Sequence, residues 1–201
     1  MNTAAEALNR LIRGNRRFVA GTPAMRSAPL EELAKAQAPF AIVLGCSDSR
    51  VPAEIVFDQG LGDLFVIRVA GNIVAPSQVG SVEFAAEQFG TRLVVVLGHS
   101  SCGAILATLE QLERPSEQRS PNLRPIVNWI KPSVERLLEA GLTDRDELVN
   151  QAVRANIRAS AAQLRGGSEI LENLIRDDGL LVVGAEYSLE TGVVDFFDGL
   201  P

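Results

Sequence analysis

Apolar positions along the chain come in two patterns. Short runs almost free of polar residues occur at Phe40–Gly45, Leu64–Val69, Arg92–Gly98 and Leu180–Ala185, with a further β-rich run at Val193–Phe197. Such runs read as strands, and the continuous ones as strands buried on both faces, as in a parallel sheet. Between them lie segments whose apolar residues recur at helical spacing: about Thr3–Val19, Leu30–Gln37, Val51–Phe57, Ser77–Phe89, Gly103–Leu112, Pro125–Ala140, Thr143–Arg165 and Ser168–Arg176. Pro52 suits a helix start, Gly90 and Gly141 suit helix stops, and Thr143 or Asp146 suits a cap. Glu113–Arg124 is polar, holds Pro115, Pro121 and Asn122, and reads as a surface loop. Glu190-Thr191-Gly192 between the last two β runs predicts a closing hairpin. Alternating strands and helices make this an α/β fold with a mostly parallel central sheet flanked by helices and an antiparallel hairpin or edge strand at the end. One domain spans 1–201, with residues 1–38 as an N-terminal helical arm and 39–201 as the α/β core.

Composition narrows the function. At 201 residues, 46% hydrophobic and 22% charged, the chain can bury a sizeable core. A net charge of -6 gives no basic footprint, which argues against nucleic acid or an anionic membrane surface as partner. No apolar run approaches a membrane span, and Met1–Phe18 carries Glu6, Arg10, Arg13, Arg16 and Arg17 in place of a secretory apolar core. Two cysteines do not make a disulfide framework, so a reducing cytoplasm is expected, with both thiols free or metal-bound.

The chemistry begins where two of the buried strands stop. The first ends in Cys46-Ser47-Asp48-Ser49-Arg50 and the third in His99-Ser100-Ser101-Cys102-Gly103. In open α/β sheets, ligands bind outside the carboxyl ends of the strands. The chain's one histidine and both its cysteines therefore meet at one edge. Two thiolates and one imidazole suit tetrahedral zinc, and three protein ligands leave a position open for a water whose pKa falls. Other readings exist. An isolated cysteine can be core filler, a lone histidine structural, and Asp48 with Arg50 a loop salt bridge. A phosphatase loop is opposed by the short Cys46–Arg50 spacing and by Asp48, which would repel a phosphate dianion. A redox disulfide between Cys46 and Cys102 lacks the C-x-x-C spacing.

The pair of motifs, C-x-D-x-R then H-x-x-C-G, resembles the β-class carbonic anhydrases. The likeness continues through Pro52-Ala53-Glu54, Asp58-Gln59-Gly60, Gly62-Asp63-Leu64-Phe65 and Arg68-Val69-Ala70-Gly71-Asn72, covering about Gln37 to Leu106. It implies a Rossmann-like sheet and one Zn²⁺ per chain on Cys46, His99 and Cys102. It also implies reversible hydration of carbon dioxide to bicarbonate and a proton by a zinc-bound hydroxide. Because two thiolates cancel the ion's formal charge, its water is less acidified than at an all-imidazole site. The resemblance gives Asp48, held by Arg50, the task of orienting the hydroxide, and in a closed state lets Asp48 become a fourth ligand. For the substrate it implies Gln37 as a donor to oxygen, the Gly103 N–H as a donor to bicarbonate, and Phe65, Ala70 and Phe84 as lining. Phe84 stands where many relatives have tyrosine, and Val43 where bicarbonate-inhibited members have tryptophan. Self-association as a homodimer or a dimer of dimers is implied, with the N-terminal helix wrapping a partner and the site at the interface. A carbon disulfide or carbonyl sulfide hydrolase on the same scaffold, or a zinc-binding assembly protein without turnover, are the alternative readings.

Overall fold

The computed structural model describes residues 3–113, 120–142 and 144–200. Five strands, β1 (Ala41–Gly45), β2 (Leu64–Arg68), β3 (Leu93–His99), β4 (Leu181–Tyr187) and β5 (Val194–Asp198), form one sheet in the order β2-β1-β3-β4-β5. The first four are parallel, and β5 runs antiparallel to β4 as an edge strand. Among the described residues eight α-helices accompany it: α1 (Ala4–Val19), α2 (Leu30–Leu33), α3 (Ala53–Val56), α4 (Pro76–Gln88), α5 (Gly103–Glu113), α6 (Arg124–Glu139), α7 (Arg145–Gly166) and α8 (Glu169–Asp177). Among the described residues, no helix is long and apolar enough to cross a membrane.

Period-2 alternation divides the sheet's side chains between two cores. Ile42, Leu44, Val94, Val96 and Val182 face the first, beneath α4–α8. Ala41, Val43, Leu93, Val95, Leu97, Val183 and Ala185 face the second, beneath α1 and α3. Every residue of β1 and β3 is buried, because these strands have neighbours in the sheet on both sides and helices on both faces. Strand order reverses between β1 and β3, so the crevice of this doubly wound sheet opens at the carboxyl ends of the strands that carry Cys46 and His99.

Within the chain, one face of the N-terminal helix packs on its own sheet. Its amino end is fixed by a capping box between Thr3 and Glu6, and Ala7, Leu8 and Leu11 are buried in the second core of their own chain. Gly14 passes so close to Phe57 O that an added Cβ would lie 1.8 Å from it, and only glycine permits that approach. Next to it, buried Asn15 donates to Val56 O (3.1 Å) and Gly192 O (2.9 Å) and accepts from Val194 N–H (2.9 Å).

Other boundaries moved by less. Within the predicted Leu30–Gln37 helix only Leu30–Leu33 is helical, and none of its residues is buried to hold a further turn. Helix α7 starts from Asp144, whose carboxylate accepts from Glu147 N–H, and not from the expected Asp146, which lies in its first turn; the other expected cap, Thr143, lies outside the described residues. So does half of the predicted loop, residues 114–119.

Candidate metal centre

Cys46 follows β1 directly, His99 is the last residue of β3, and Cys102 precedes the first residue of α5. The turn between β3 and α5 is tight, with Ser101 at φ +55°. It is tied to β4 by Ser100 N–H donating to Tyr187 O (3.0 Å) and Leu189 N–H donating to Ser100 Oγ (2.9 Å). All three side chains are buried, and one ligating atom from each lies within 4.8 Å of the others. The two Sγ atoms are 3.9 Å apart. A disulfide needs about 2.0 Å. Two thiolates on one tetrahedral zinc, each at about 2.3 Å, stand about 3.8 Å apart, so the spacing fits a shared metal. His99 fits as well. Its Nδ1 lies 2.9 Å from Ser100 O, which sets Nδ1 as the protonated nitrogen and leaves an Nε2 lone pair facing the sulfurs. That Nε2 is buried and has no hydrogen-bond partner among the described residues, as expected of a metal ligand.

Charge in the cluster is shared unevenly. The Cys46 thiol is held well below its ordinary range, first by the hydrogen bond from Cys102, then by His99 and the Gly71 N–H, against the effect of burial. Cys102 is pushed up in turn, first by donating to Cys46 and then by burial, although the Ala104 and Ile105 N–H groups at the start of α5 favour its anion. Burial is the largest effect on His99 and lowers it, but the nearby Cys46 sulfur, the Ser100 backbone and the Asp48 charge together outweigh it and the net direction is upward.

Asp48 stands beside the cluster. Its Oδ2 is 3.8 Å from His99 Nε2. Arg50 grips the carboxylate bidentately, Nε donating to Oδ1 (2.9 Å) and Nη2 to Oδ2 (2.7 Å), and the Arg50 N–H adds a third bond to Oδ1 (3.0 Å). The Arg50 side chain, and next its backbone N–H, hold the Asp48 carboxyl far below the usual carboxylate range.

The matched residues do not all gather here. Gly103 opens α5 beside Cys102, and Ala70 lies next to Gly71, whose N–H points at Cys46 Sγ from 3.4 Å. Phe65 is in register with Ile42, so along the strand it falls about 13 Å short of Cys46. It packs instead with Phe84 and Phe89, at ring-centroid distances of 6.2 and 6.0 Å. Phe84 is 51% exposed, and Gln37 is exposed with no hydrogen bond among the described residues. Val43 is fully buried inside β1.

Sequence reasoning missed the residues that hold the cluster from outside. Arg68, at the end of β2, donates from Nε to Cys46 O (3.0 Å) and from Nη2 to Asp48 O (2.6 Å), bracing the loop between ligand and carboxylate. Asn156 and Ser160, both buried on α7, donate to Gly71 O (2.8 Å) and Asn72 O (3.0 Å). Two polar residues one turn apart within an apolar stripe that includes Ala152, Val153, Ile157 and Ala161 were the available signal.

The sequence model of the family described as carbonic anhydrase matches residues 41–194 of this chain. The chain belongs to the carbonic anhydrase family. A carbonic anhydrase of Mycolicibacterium smegmatis is 43% identical over 185 residues, covering 90% of this chain and 87% of that protein. Carbonic anhydrase 2 of Mycobacterium tuberculosis is 39% identical over 184 residues, covering 89% and 86%. Among solved structures, a tetrameric beta-carbonic anhydrase of the filamentous ascomycete Sordaria macrospora superposes with a TM-score of 0.75 at 28% identity, covering 84% of this chain and 85% of that one. The β-carbonic anhydrase CafA of Aspergillus fumigatus gives 0.76 at 27%, covering 86% and 81%. The β-class resemblance of the motifs and the expected mostly parallel sheet are thus both met, and the chain is an enzyme of the carbonic anhydrase family.

Proposed function

We propose that this chain hydrates carbon dioxide reversibly to bicarbonate and a proton, using one Zn²⁺ per chain held by Cys46, His99 and Cys102. The observation that carries the reading is the buried Cys-His-Cys triad with the Asp48 carboxylate 3.8 Å from His99 Nε2. Bound there, zinc would lower the pKa of a water molecule and so supply a nucleophilic oxygen at neutral pH. The remaining work falls to the chain. Asp48, ionised through its pairing with Arg50, can only accept a hydrogen bond, so it takes the O–H of the nucleophile and turns a lone pair toward carbon dioxide. Arg50 also keeps the carboxylate away from the metal, and its release would let Asp48 become a ligand in a closed state. The Gly103 N–H, at the start of α5, serves as a donor to a bicarbonate oxygen.

Gln37, Phe65 and Phe84 complete the substrate pocket only if a second copy supplies them. A half-buried aromatic cluster at the β2 edge with Phe84 exposed, well below its own chain's metal cluster along the strand, supports that reading, as does the tetrameric relative from Sordaria macrospora. Self-association is therefore part of the proposal, as a homodimer or a dimer of dimers. Cytoplasmic residence fits two buried, unbridged cysteines.

Stopped-flow carbon dioxide hydration, run beside carbonyl sulfide and carbon disulfide hydrolysis on metal-analysed protein, tests the reading. Rapid hydration of carbon dioxide with one zinc per chain supports it. Turnover of the sulfur substrates alone, or zinc binding without turnover, sinks it.

A further inference from the structure

The N–H that reaches Cys46 belongs to the Ala70–Gly71 peptide, and the peptide that follows it, Gly71–Asn72, is set in a left-handed turn and held from the far side. Gly71 N–H points at Cys46 Sγ from 3.4 Å. The turn Ala70–Asn72 that carries it has two successive left-handed residues, Gly71 at φ +71° and Asn72 at φ +43°. The second is not glycine, so the turn needs outside support to persist. Around Gly71 there is no slack, since an added Cβ would lie 2.7 Å from Ile130 Cδ1 and 3.0 Å from Ala104 Cβ. The support comes from α7. Asn156 Nδ2 donates to Gly71 O (2.8 Å), while Asn72 N–H closes onto Val69 O (3.0 Å), so the peptide between Gly71 and Asn72 is held at both its polar ends. Ser160 secures the next carbonyl, that of Asn72.

We propose that Asn156 is a positioning residue of the metal centre: by fixing the Gly71 carbonyl it aims the Gly71 N–H at Cys46 Sγ and so sets the donor strength of that thiolate. This rests on the metal-centre reading above. A hydrogen bond to a ligating sulfur draws charge from it, and groups that orient ligands from outside commonly alter metal affinity by about 10- to 100-fold. If Asn156 merely satisfied a buried carbonyl, its loss would lower stability and leave the metal unaffected.

Two variants separate these roles. Asn156→Leu keeps the number and branching of the side-chain heavy atoms and removes the donor, while Ser160→Ala removes the companion bond from the same helix. The zinc forms are challenged with a chelator, and the cobalt(II)-substituted forms are read by their thiolate-to-cobalt charge-transfer band. Asn156→Leu is expected to change the rate of zinc release by about 10- to 100-fold and, because charge returns to the sulfur, to move the band to lower energy. Ser160→Ala should lose comparable thermal stability with the band in place. In cadmium-loaded wild-type protein, the Gly71 amide proton should show scalar coupling to the spin-active metal through sulfur. Should Asn156→Leu fail to fold, Asn156→Ser, too short to reach the carbonyl, takes its place. A folded Asn156 variant with wild-type band and zinc release overturns the proposal, as does absence of the Gly71 coupling. Wild-type protein that binds neither zinc nor cobalt overturns the metal-centre reading along with it, which distinguishes the two failures.

Discussion

Arg50 holds both oxygens of the Asp48 carboxylate, and the held carboxylate stops 3.8 Å from His99 Nε2. The pair is close enough to the cluster to orient a small nucleophile, and it is committed to the guanidinium rather than to a metal. Replacing Arg50 with alanine frees Asp48 to ligate. Activity is expected to fall by about 100-fold, the usual scale for a misplaced orienting group, with zinc retained. Stopped-flow rates beside metal analysis check this, and a variant hydrating carbon dioxide at the wild-type rate would refute the role given to Arg50.

Removing a sulfur should remove the metal. Cys46→Ala or Cys102→Ala leaves two protein ligands, too few for tight retention at a site whose neighbours supply no replacement thiol. Both variants are expected to emerge from gel filtration against a chelator without zinc and without activity. Stoichiometric zinc in either would overturn the ligand assignment.

Arg68 braces the same loop through main-chain carbonyls, those of Cys46 and Asp48. A lysine there keeps the charge but not the two-pronged donor geometry. Arg68→Lys is therefore expected to lower kcat/KM for hydration by about 10-fold or more, by letting the Asp48 carboxylate drift from its aim. If lysine restores full activity where alanine does not, charge alone matters and the bracing argument fails.

Asp58 ties down the chain that follows α1. Its carboxylate, 3% exposed, accepts from the Ala24 and Met25 N–H groups and pairs with Arg17. Burial alone would raise its pKa, but the Ala24 N–H and Arg17 outweigh burial and lower it. A lowered folded-state value means that the stabilisation is fully present above the ordinary carboxylate pKa and is lost as pH falls through the folded one. Limited proteolysis between residues 20 and 38 should thus accelerate on acidification in the wild type. In Asp58→Asn it should be fast already at neutral pH, with a stability loss of about 1–3 kcal/mol from donors left unmatched. Equal cleavage rates for the two proteins at neutral pH would contradict the clamp.

Proton export should depend on the solvent. His99 is the chain's one histidine, and it sits in the cluster with Nδ1 already engaged by Ser100 O. No second imidazole is present to carry protons away near neutral pH. Near neutrality, kcat is expected to rise and saturate with the concentration of an imidazole-type buffer, while kcat/KM, which reports the carbon dioxide step, stays flat. A kcat indifferent to buffer would reveal a relay through other groups.

Much of this was legible in the chain itself. Continuous apolar runs marked β1 and β3, because a strand covered on both faces has no polar positions to show, while β2, equally apolar, lies half-buried at the sheet edge. Helical spacing marked α1, α4 and α7 to within a residue or two, because each buries a stripe of its own surface. The three ligand types followed from where the apolar runs stopped. These features are local: each element records its own burial in its own sequence.

Tertiary structure alone decided what meets what. Strand order placed β1 beside β3, bringing the sulfurs of Cys46 and Cys102 to 3.9 Å across 56 residues of sequence. It put Asn156 under Gly71, turned α1 onto its own sheet through Gly14 and Asn15, and set Phe65 a strand's length below the cluster it was matched to. None of these has a local signature. A buried asparagine, a glycine under a carbonyl or a half-buried phenylalanine takes its meaning from a partner up to 179 residues away, as Asn15 does from Val194, and only close packing of the whole chain selects that partner.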